Sequence, residues 1–236
     1  MRLIISAACG LWLIIAGPSV AQTSSSEPVV VVELYTSQGC SSCPPADEFF
    51  AMLASDSRVI PLALHVDYWD YIGWADKFAD PHYTARQRAY AKAIGSRTIY
   101  TPQMIVEGVD FVEGHNPEAV GRLIDAQLAK GSPVVLTLQR TGGDLKISAQ
   151  ANPPLSHAVK VQLVRYRPQQ TVDIGHGENA GRTVTYHNIV TSWQVLGDWA
   201  GTAPLALDAV VEGDEPIVVI LQENGPAAIL AAARID

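Results

Sequence analysis

Apolar and polar positions change rhythm about halfway along this chain. In the first half, apolar runs of strand length alternate with helix-period segments. Val29 to Leu34 is a continuous, mostly β-branched run that predicts a buried strand. Tyr35 to Gly39 is a short loop, and from Pro44 onward a helix is expected, with Phe49, Phe50, Met52 and Leu53 on one side. Val59 to Val66 predicts a second strand, followed by an aromatic-rich connection from Asp67 to Phe78. A polar helix is predicted from about Asp80 to Ile94, ending near Gly95. Gln103 to Glu107 and Asp110 to Glu113 read as strands joined around Gly108. Asn116 to Lys130 is amphipathic at helical spacing and stops at Gly131. Strands alternating with helices argue for an α/β layer fold.

Beyond Ser132 the runs become short and strand-like: Val134 to Gln139, Leu145 to Gln150, Val159 to Tyr166, Thr183 to Tyr186, Ile189 to Leu196, Leu205 to Val211, Ile217 to Gln222 and Ala227 to Ala233. Turn signals such as Thr141-Gly142-Gly143-Asp144 and Glu223-Asn224-Gly225-Pro226 separate them. This texture predicts a smaller all-β, sandwich-like or barrel-like unit. With 236 residues, the chain suits one large domain or two modest ones. The expected division is an α/β domain over 28–131 and a β-rich domain over 133–236.

The first residues have a different character. Arg2 precedes the apolar run Leu3 to Ala16, Gly17 and Pro18 break it, and Ser19-Val20-Ala21 supplies small residues at the cleavage-defining positions. This pattern is that of a secretory signal peptide over 1–21, cut before Gln22. The alternative, a membrane anchor, is disfavoured because the apolar run is short for a bilayer. Cys9 sits too early for lipid attachment, and Thr23 to Pro28 read as a flexible polar lead-in. The expected location is periplasmic or secreted, without stable membrane insertion. The formal net charge of −8, with no basic stripe, argues against nucleic acid as a partner.

Export gives the cysteines their meaning. The mature chain keeps only Cys40 and Cys43. In an oxidising compartment such a pair can hold a disulfide. A staple gains most from closing a long loop, and a two-residue spacer closes almost none, so redox chemistry is the economical reading. Cys40-Ser41-Ser42-Cys43 follows a buried strand and opens a helix, where unpaired N–H groups and the macrodipole favour a thiolate. Cys40 is expected to be the more exposed, attacking thiolate and Cys43 the resolving thiol. Protein or small-molecule disulfides and thiols are the expected partners, together with a redox partner the sequence does not identify, and no cofactor is called for. The alternative is a binding module in which the dithiol carries a soft metal such as copper. That needs a further ligand, and Met104 is the nearest thioether candidate; a closed zinc site wants four ligands.

Other residues join this reading. Pro102 lies at a strand start, where a cis Thr101–Pro102 bond would turn the Thr101 backbone towards the dithiol; local sequence alone leaves the ordinary trans form open. Glu33, an acid inside an apolar run, is expected to have a raised pKa and either to take the Cys43 proton or to reach solvent from the strand end. Trp69 and Trp74, beside Asp67, Tyr68, Asp70 and Tyr71, would either form a docking rim or cover the core edge. His65 reads as a satisfied core histidine. His176, Glu178 and His187 are metal-ligand types without tight spacing, and Asn179 and Arg182 suit loop-anchoring hydrogen bonds. The loop from Asp173 to Arg182 is expected to touch the first domain and limit access to the dithiol.

The stretch from Val32 through Glu33-Leu34-Tyr35-Thr36-Ser37-Gln38-Gly39 to Cys40-Ser41-Ser42-Cys43-Pro44-Pro45-Ala46-Asp47 resembles the signature of secreted bacterial proteins of the domain-of-unknown-function 1223 family. His176-Gly177-Glu178-Asn179, Gly181-Arg182-Thr183-Val184 and Tyr186 extend the resemblance over nearly the whole mature chain. It implies a thioredoxin-like fold, with Cys40 as nucleophile, Cys43 as resolving thiol, Pro102 as a cis-proline and Glu33 as the buried acid. Glu33 stands seven residues before Cys40, one more than thioredoxins usually place between them. An extra loop residue between Ser37 and Gly39 would reconcile the two. The resemblance implies no substrate.

Overall fold

The computed structural model describes residues 20–24 and 28–236. The expected signal peptide over 1–21 therefore lies outside the described residues except for its last two. In chain order the elements are β1 (Val20–Ser24), β2 (Val30–Thr36), α1 (Pro44–Leu53), β3 (Val59–His65), α2 (Pro81–Ala93), β4 (Gln103–Val106), β5 (Asp110–Glu113) and α3 (Pro117–Lys130). Strands β6 (Val134–Thr141), β7 (Asp144–Ala151), β8 (Val159–Asp173), β9 (Thr183–Trp199), β10 (Leu205–Val210), β11 (Ile217–Glu223) and β12 (Ile229–Ile235) complete the chain. Among the described residues the result is a mixed α/β protein with one large sheet, a smaller four-stranded one and three α-helices. No helix among the described residues is long and apolar enough to cross a membrane.

The eight-stranded sheet runs β12-β11-β8-β9-β3-β2-β4-β5 and crosses the expected boundary at Lys130 to Pro133. Strands β2 and β3 are parallel, β4 and β5 antiparallel to their neighbours. The two halves meet where β3 lies parallel to β9, with Ala63 opposite Ile189. That junction is short for a physical reason. Proline has no N–H to give a ladder, and the Pro61 carbonyl is occupied by Asn188 Nδ2 at 2.9 Å.

Among the described residues there are four apolar clusters, a small one around Val172, Ile174, Tyr186 and Ile189 and three larger ones that hold the layers. One fills the space between the four-stranded sheet β1-β6-β7-β10 and the far strands β8, β11 and β12. A second includes Val31, Tyr35, Leu62 and Leu64 of the first half, Val164, Val218 and Ile220 of the second, and Tyr83 and Tyr90 of α2. A third packs Val30, Val32 and Leu34 against Ala46 and Phe50 of α1 and Val120 and Ile124 of α3. Both faces of β2 are buried, which is why the run reads as continuously apolar. Side chains alternate across a strand, so Val31, Glu33 and Tyr35 share one face and Val30, Val32 and Leu34 the other.

Two expectations are corrected. The lead-in from Thr23 to Pro28 is not wholly irregular: Thr23 and Ser24 end β1, opposite Leu138 and Thr137 of β6. A strand edge with free N–H and C=O groups is a template for such pairing. The runs Thr183 to Tyr186 and Ile189 to Leu196 are one strand, β9, paired along its length with an equally extended β8. Asn188, at φ 45°, lies where they were expected to separate.

Candidate functional site

Cys40 and Cys43 form a disulfide with Cα atoms 5.4 Å apart. It sits at the entrance to α1, for which Cys43 is the N-cap. The helix begins with Pro44 and Pro45, and prolines carry no N–H. The Cys43 N–H donates to the Cys40 carbonyl at 3.2 Å, and the N–H groups of Ala46 and Asp47 donate to the Cys43 carbonyl. The expected array of free N–H donors is thus largely absent. The nearest polar partner of the Cys40 sulfur is the Ser42 hydroxyl, at 3.4 Å.

The expected difference in exposure is also absent: Cys40 and Cys43 are both 0 % exposed in the disulfide form. Ser41 and Ser42 lie exposed above them. Ile72 and Trp69 press on Gly39, where a Cβ would come within 3.1 Å of the Trp69 Cβ. From the second half, Asn179 Nδ2 donates to the carbonyls of Gln38 and Cys40, each at 2.9 Å. Trp74 Nε1 donates to Gln38 Oε1 at 2.7 Å, and Gly175 and Gly177 pack against Trp74. The loop between Asp173 and Arg182 therefore lies on the Cys40 side and ties down the segment that leads to it. Replacing Asn179 with alanine removes two buried hydrogen bonds, each worth about 1 kcal/mol or more when left unmade. Reduction of the disulfide by a water-soluble phosphine is expected to speed up about ten-fold. An unchanged rate would mean that Asn179 does not restrain access.

The Thr101–Pro102 bond is cis. The Ser42 hydroxyl donates to the Thr101 carbonyl at 3.4 Å, and Trp69 Nε1 donates to Thr101 Oγ1 at 2.8 Å. Pro102 and Ala46 of α1 flank Gly114, each within about 3.2 Å of where its Cβ would be. Cys40, Cys43, Thr101, Pro102, Trp69 and Trp74 are thus brought together.

Glu33 is not among them. It is buried, as expected, but on the face of β2 that carries Val31 and Tyr35, away from α1. Arg86 of α2 donates from Nε and Nη2 to its two oxygens, each at 2.7 Å. The hydroxyls of Tyr35 and Tyr90 add bonds at 2.8 and 2.7 Å. Glu33 is a component of a structural ion pair, and the proton role expected for it at Cys43 is withdrawn.

The face that does meet α1 carries a different polar cluster, and the sequence reading missed it. Asp47, one turn beyond Cys43, accepts a bond from Thr36 Oγ1 at 2.8 Å. Burial pushes its carboxyl up to about 7, against the opposing pull of His65 and the Thr36 hydroxyl. His65, opposite Thr36 in the β2–β3 register, places Nδ1 2.7 Å from Asp76 Oδ2. Its Nε2 is buried without a partner, among the rings of Phe78 and Tyr186. Burial of Asp76 would raise its pKa, but His65 and the N–H groups of Gln38 and Phe78 hold it below the ordinary value. His176 lies beside the Trp74 ring. No group of three or more His, Cys, Asp or Glu side chains able to hold a metal ion occurs among the described residues.

No curated protein matches the chain. Among solved structures, it is similar to a crystal structure of a protein from Agrobacterium tumefaciens, with a TM-score of 0.76 and 32 % identity, covering 89 % of this chain and 95 % of that one. The fold is also shared with HBP35 of Porphyromonas gingivalis, with a TM-score of 0.63 and 15 % identity over 89 % of this chain and 75 % of the other. Residues 31–222, which include the dithiol, the Thr101–Pro102 turn and the Asn179 loop, match the family described as "Protein of unknown function (DUF1223)", and the chain belongs to that family.

Proposed function

We propose that this protein is a thiol–disulfide oxidoreductase of the cell envelope, periplasmic or secreted after loss of residues 1–21. In this reading a thioredoxin-like unit, residues 28–131, carries the dithiol, and the β-rich second half restricts what reaches it. The observation that carries it is the meeting of a Cys40–Cys43 disulfide with the carbonyl of Thr101, bridged by the Ser42 hydroxyl. A substrate chain laid along Thr101 and Pro102 would present its sulfur beside Cys40. The Cys40 thiolate attacks a substrate disulfide, and Cys43 then displaces the substrate from Cys40. Trp69 holds Thr101 in place through its indole N–H and walls that side of the site. No observation favours the copper-carrier alternative: Met104, its candidate thioether, is packed in the core with Leu34, Ala46 and Phe50.

The test has two parts. The Cys40–Cys43 couple is equilibrated with glutathione to measure its potential, and Cys43→Ser is expressed in an exporting host. A finite potential and mixed disulfides that accumulate on Cys43→Ser, but not on Cys40→Ser, are expected. A couple that cannot be reduced by dithiols, with no trapped species, would overturn the reading. The potential also settles direction, since about 30 mV corresponds to a ten-fold change in the equilibrium.

A further inference from the structure

We infer that Asp47, backed by Thr36, His65 and Asp76, is the proton store of the Cys40–Cys43 couple, taking the Cys43 proton on oxidation and returning it on reduction. This rests on the redox reading above and replaces Glu33 in it. Asp47 stands four residues after Cys43 on α1, so the two share a face. Helical side chains lean towards the N-terminus, which brings the carboxyl back towards Cys43. The carboxyl is buried and carries a single side-chain hydrogen bond, from Thr36. Glu33, by contrast, has both oxygens saturated by a guanidinium and two hydroxyls. Free capacity and position both select Asp47.

The surroundings suit a group that must change charge. Facing Asp47 are His65 from β3, Asp76 from the following connection, Glu48 from its own helix and Tyr186 from β9. The unpartnered Nε2 of His65 is a further buried polar atom in the same cluster. Asp47 also lines an open cleft between α1 and the start of β9, with Pro44, Glu48, Arg182 and Thr183 on its walls. A proton held on Asp47 therefore has a route to solvent that does not pass the substrate face. Its midpoint near neutrality keeps both forms accessible.

The step balances as follows. With a substrate joined to Cys40 as a mixed disulfide, the Cys43 S–H gives its proton to the Asp47 carboxylate. The Cys43–Cys40 bond forms as the Cys40–substrate bond breaks, and the substrate leaves as a thiolate that is protonated by solvent. Two electrons pass from the protein dithiol to the substrate disulfide. In reverse, an incoming thiolate takes Cys40, and protonated Asp47 gives its proton to the departing Cys43 thiolate.

Two readouts test this in the intact protein. The first is NMR titration of the Asp47 carboxyl carbon in the disulfide form and after reduction by a phosphine. Coupling predicts that the midpoint differs by about one pH unit or more between the two forms, a ten-fold change in proton affinity. Thr36→Val should move it upward in both, because a bond to the carboxylate is lost. The second is single-turnover reaction with an aromatic disulfide, in which release of the second thiol reports Cys43. Asp47→Asn is expected to slow that release about ten- to a hundred-fold near pH 7 and to erase its inflection, while alkylation of Cys40 changes by less than about three-fold. Equal Asp47 midpoints in the two forms, or superimposable release profiles, would overturn the inference. Should Asp47→Asn fail to fold, the titration and Thr36→Val decide. If the phosphine-reduced protein shows the Asp47 shift but exchanges with no thiol or disulfide, the coupling stands and the oxidoreductase reading falls.

Discussion

Arg86→Ala is expected to cost the fold about 3–5 kcal/mol, because it leaves the Glu33 carboxylate buried without its cation. Glu33 is wholly buried and the Arg86 side chain is only 13 % exposed. The guanidinium also lies 3.8 Å from the centre of the Trp193 ring and donates to Gln222 Oε1 at 3.0 Å. Glu33 belongs to β2, Arg86 to α2, Trp193 to β9 and Gln222 to β11. One side chain therefore joins the dithiol-bearing half to the second half, across a sheet whose β3–β9 ladder is short. Removing it takes the cation from Glu33, while Gln222 Oε1 keeps its bond from Gln162 Nε2 at 2.9 Å. Replacing both partners, as Glu33→Met with Arg86→Met, should recover most of the loss, since a buried pair offers little net stability over apolar residues of similar size. Chemical denaturation with fitted midpoints and slopes measures this. A loss below about 1 kcal/mol for Arg86→Ala would mean that water reaches Glu33 and that the pair behaves as a surface ion pair.

The residues legible in the sequence were those whose neighbours are close in the chain. Cys40 and Cys43 identify themselves by spacing, and Thr101–Pro102 by its place before a strand. The boundaries of β2, α1, β3, α2 and α3 follow the apolar pattern within a residue or two. Glu33 shows the limit. Its burial was readable from the apolar run around it, but both faces of β2 are apolar, so nothing local says which face meets α1. Its parity with Val31 and Tyr35 did separate it from Val30, Val32 and Leu34, and it becomes informative only once Phe50 and Ala46 are known to pack on the latter set. Asp47 carries a signal of its own in the sequence. It falls on the helical stripe of Cys43, Ala46, Phe50 and Leu53, where an apolar residue would be expected. Pro44 and Pro45 likewise announced, in plain sequence, that α1 would offer few N–H donors to a thiolate. Asn179 was legible only in kind, because its partners lie 139–141 residues away, and Asp76 stands in an irregular connection where no period shows that it meets His65, 11 residues back, and the Gln38 N–H, 38 residues back. The strand pairing of β1, and the sheet shared by the two halves, depend on contacts between distant segments that no period encodes.

Stability is expected to fall as pH rises from about 4 to 8, opposite to the usual behaviour of a protein rich in paired acids. Burial raises the Asp47 carboxyl from 3.8 to about 7 and that of Glu107 from 4.5 to about 8. Glu107 lies in the turn between β4 and β5 at φ 52°, where its carboxylate accepts one backbone bond, from Val31 at 2.8 Å. For an acid whose pKa is higher folded than unfolded, the folded state binds more protons between the two values. Stability then declines with pH across that window and is level outside it. Asp47 acts between about pH 4 and 7, and Glu107 between about 4.5 and 8. At 1.36 kcal/mol per unit, moderated by relaxation and water entry, each contributes on the order of 2–4 kcal/mol. On the acid side, Asp76 is held below the ordinary carboxyl range, so its contribution is lost as pH falls through its folded value. The stability maximum should therefore lie near pH 4–5 rather than in the commoner interval of about 5–8. Denaturant titrations at intervals across this range give the curve. Asp47→Asn should match the parent protein near pH 4 and exceed it at pH 8, and Glu107→Gln should do the same with its rise displaced upward by about one pH unit. The two gains should add, because Asp47 lies beside the dithiol and Glu107 beside Val31 at the opposite end of β2, too far apart to couple. A parent curve that rises from pH 4 to 8, with both variants parallel to it, would show that the two carboxyls ionise freely in the folded protein. Asp47 would then lack the neutral-range midpoint that lets it exchange a proton with Cys43.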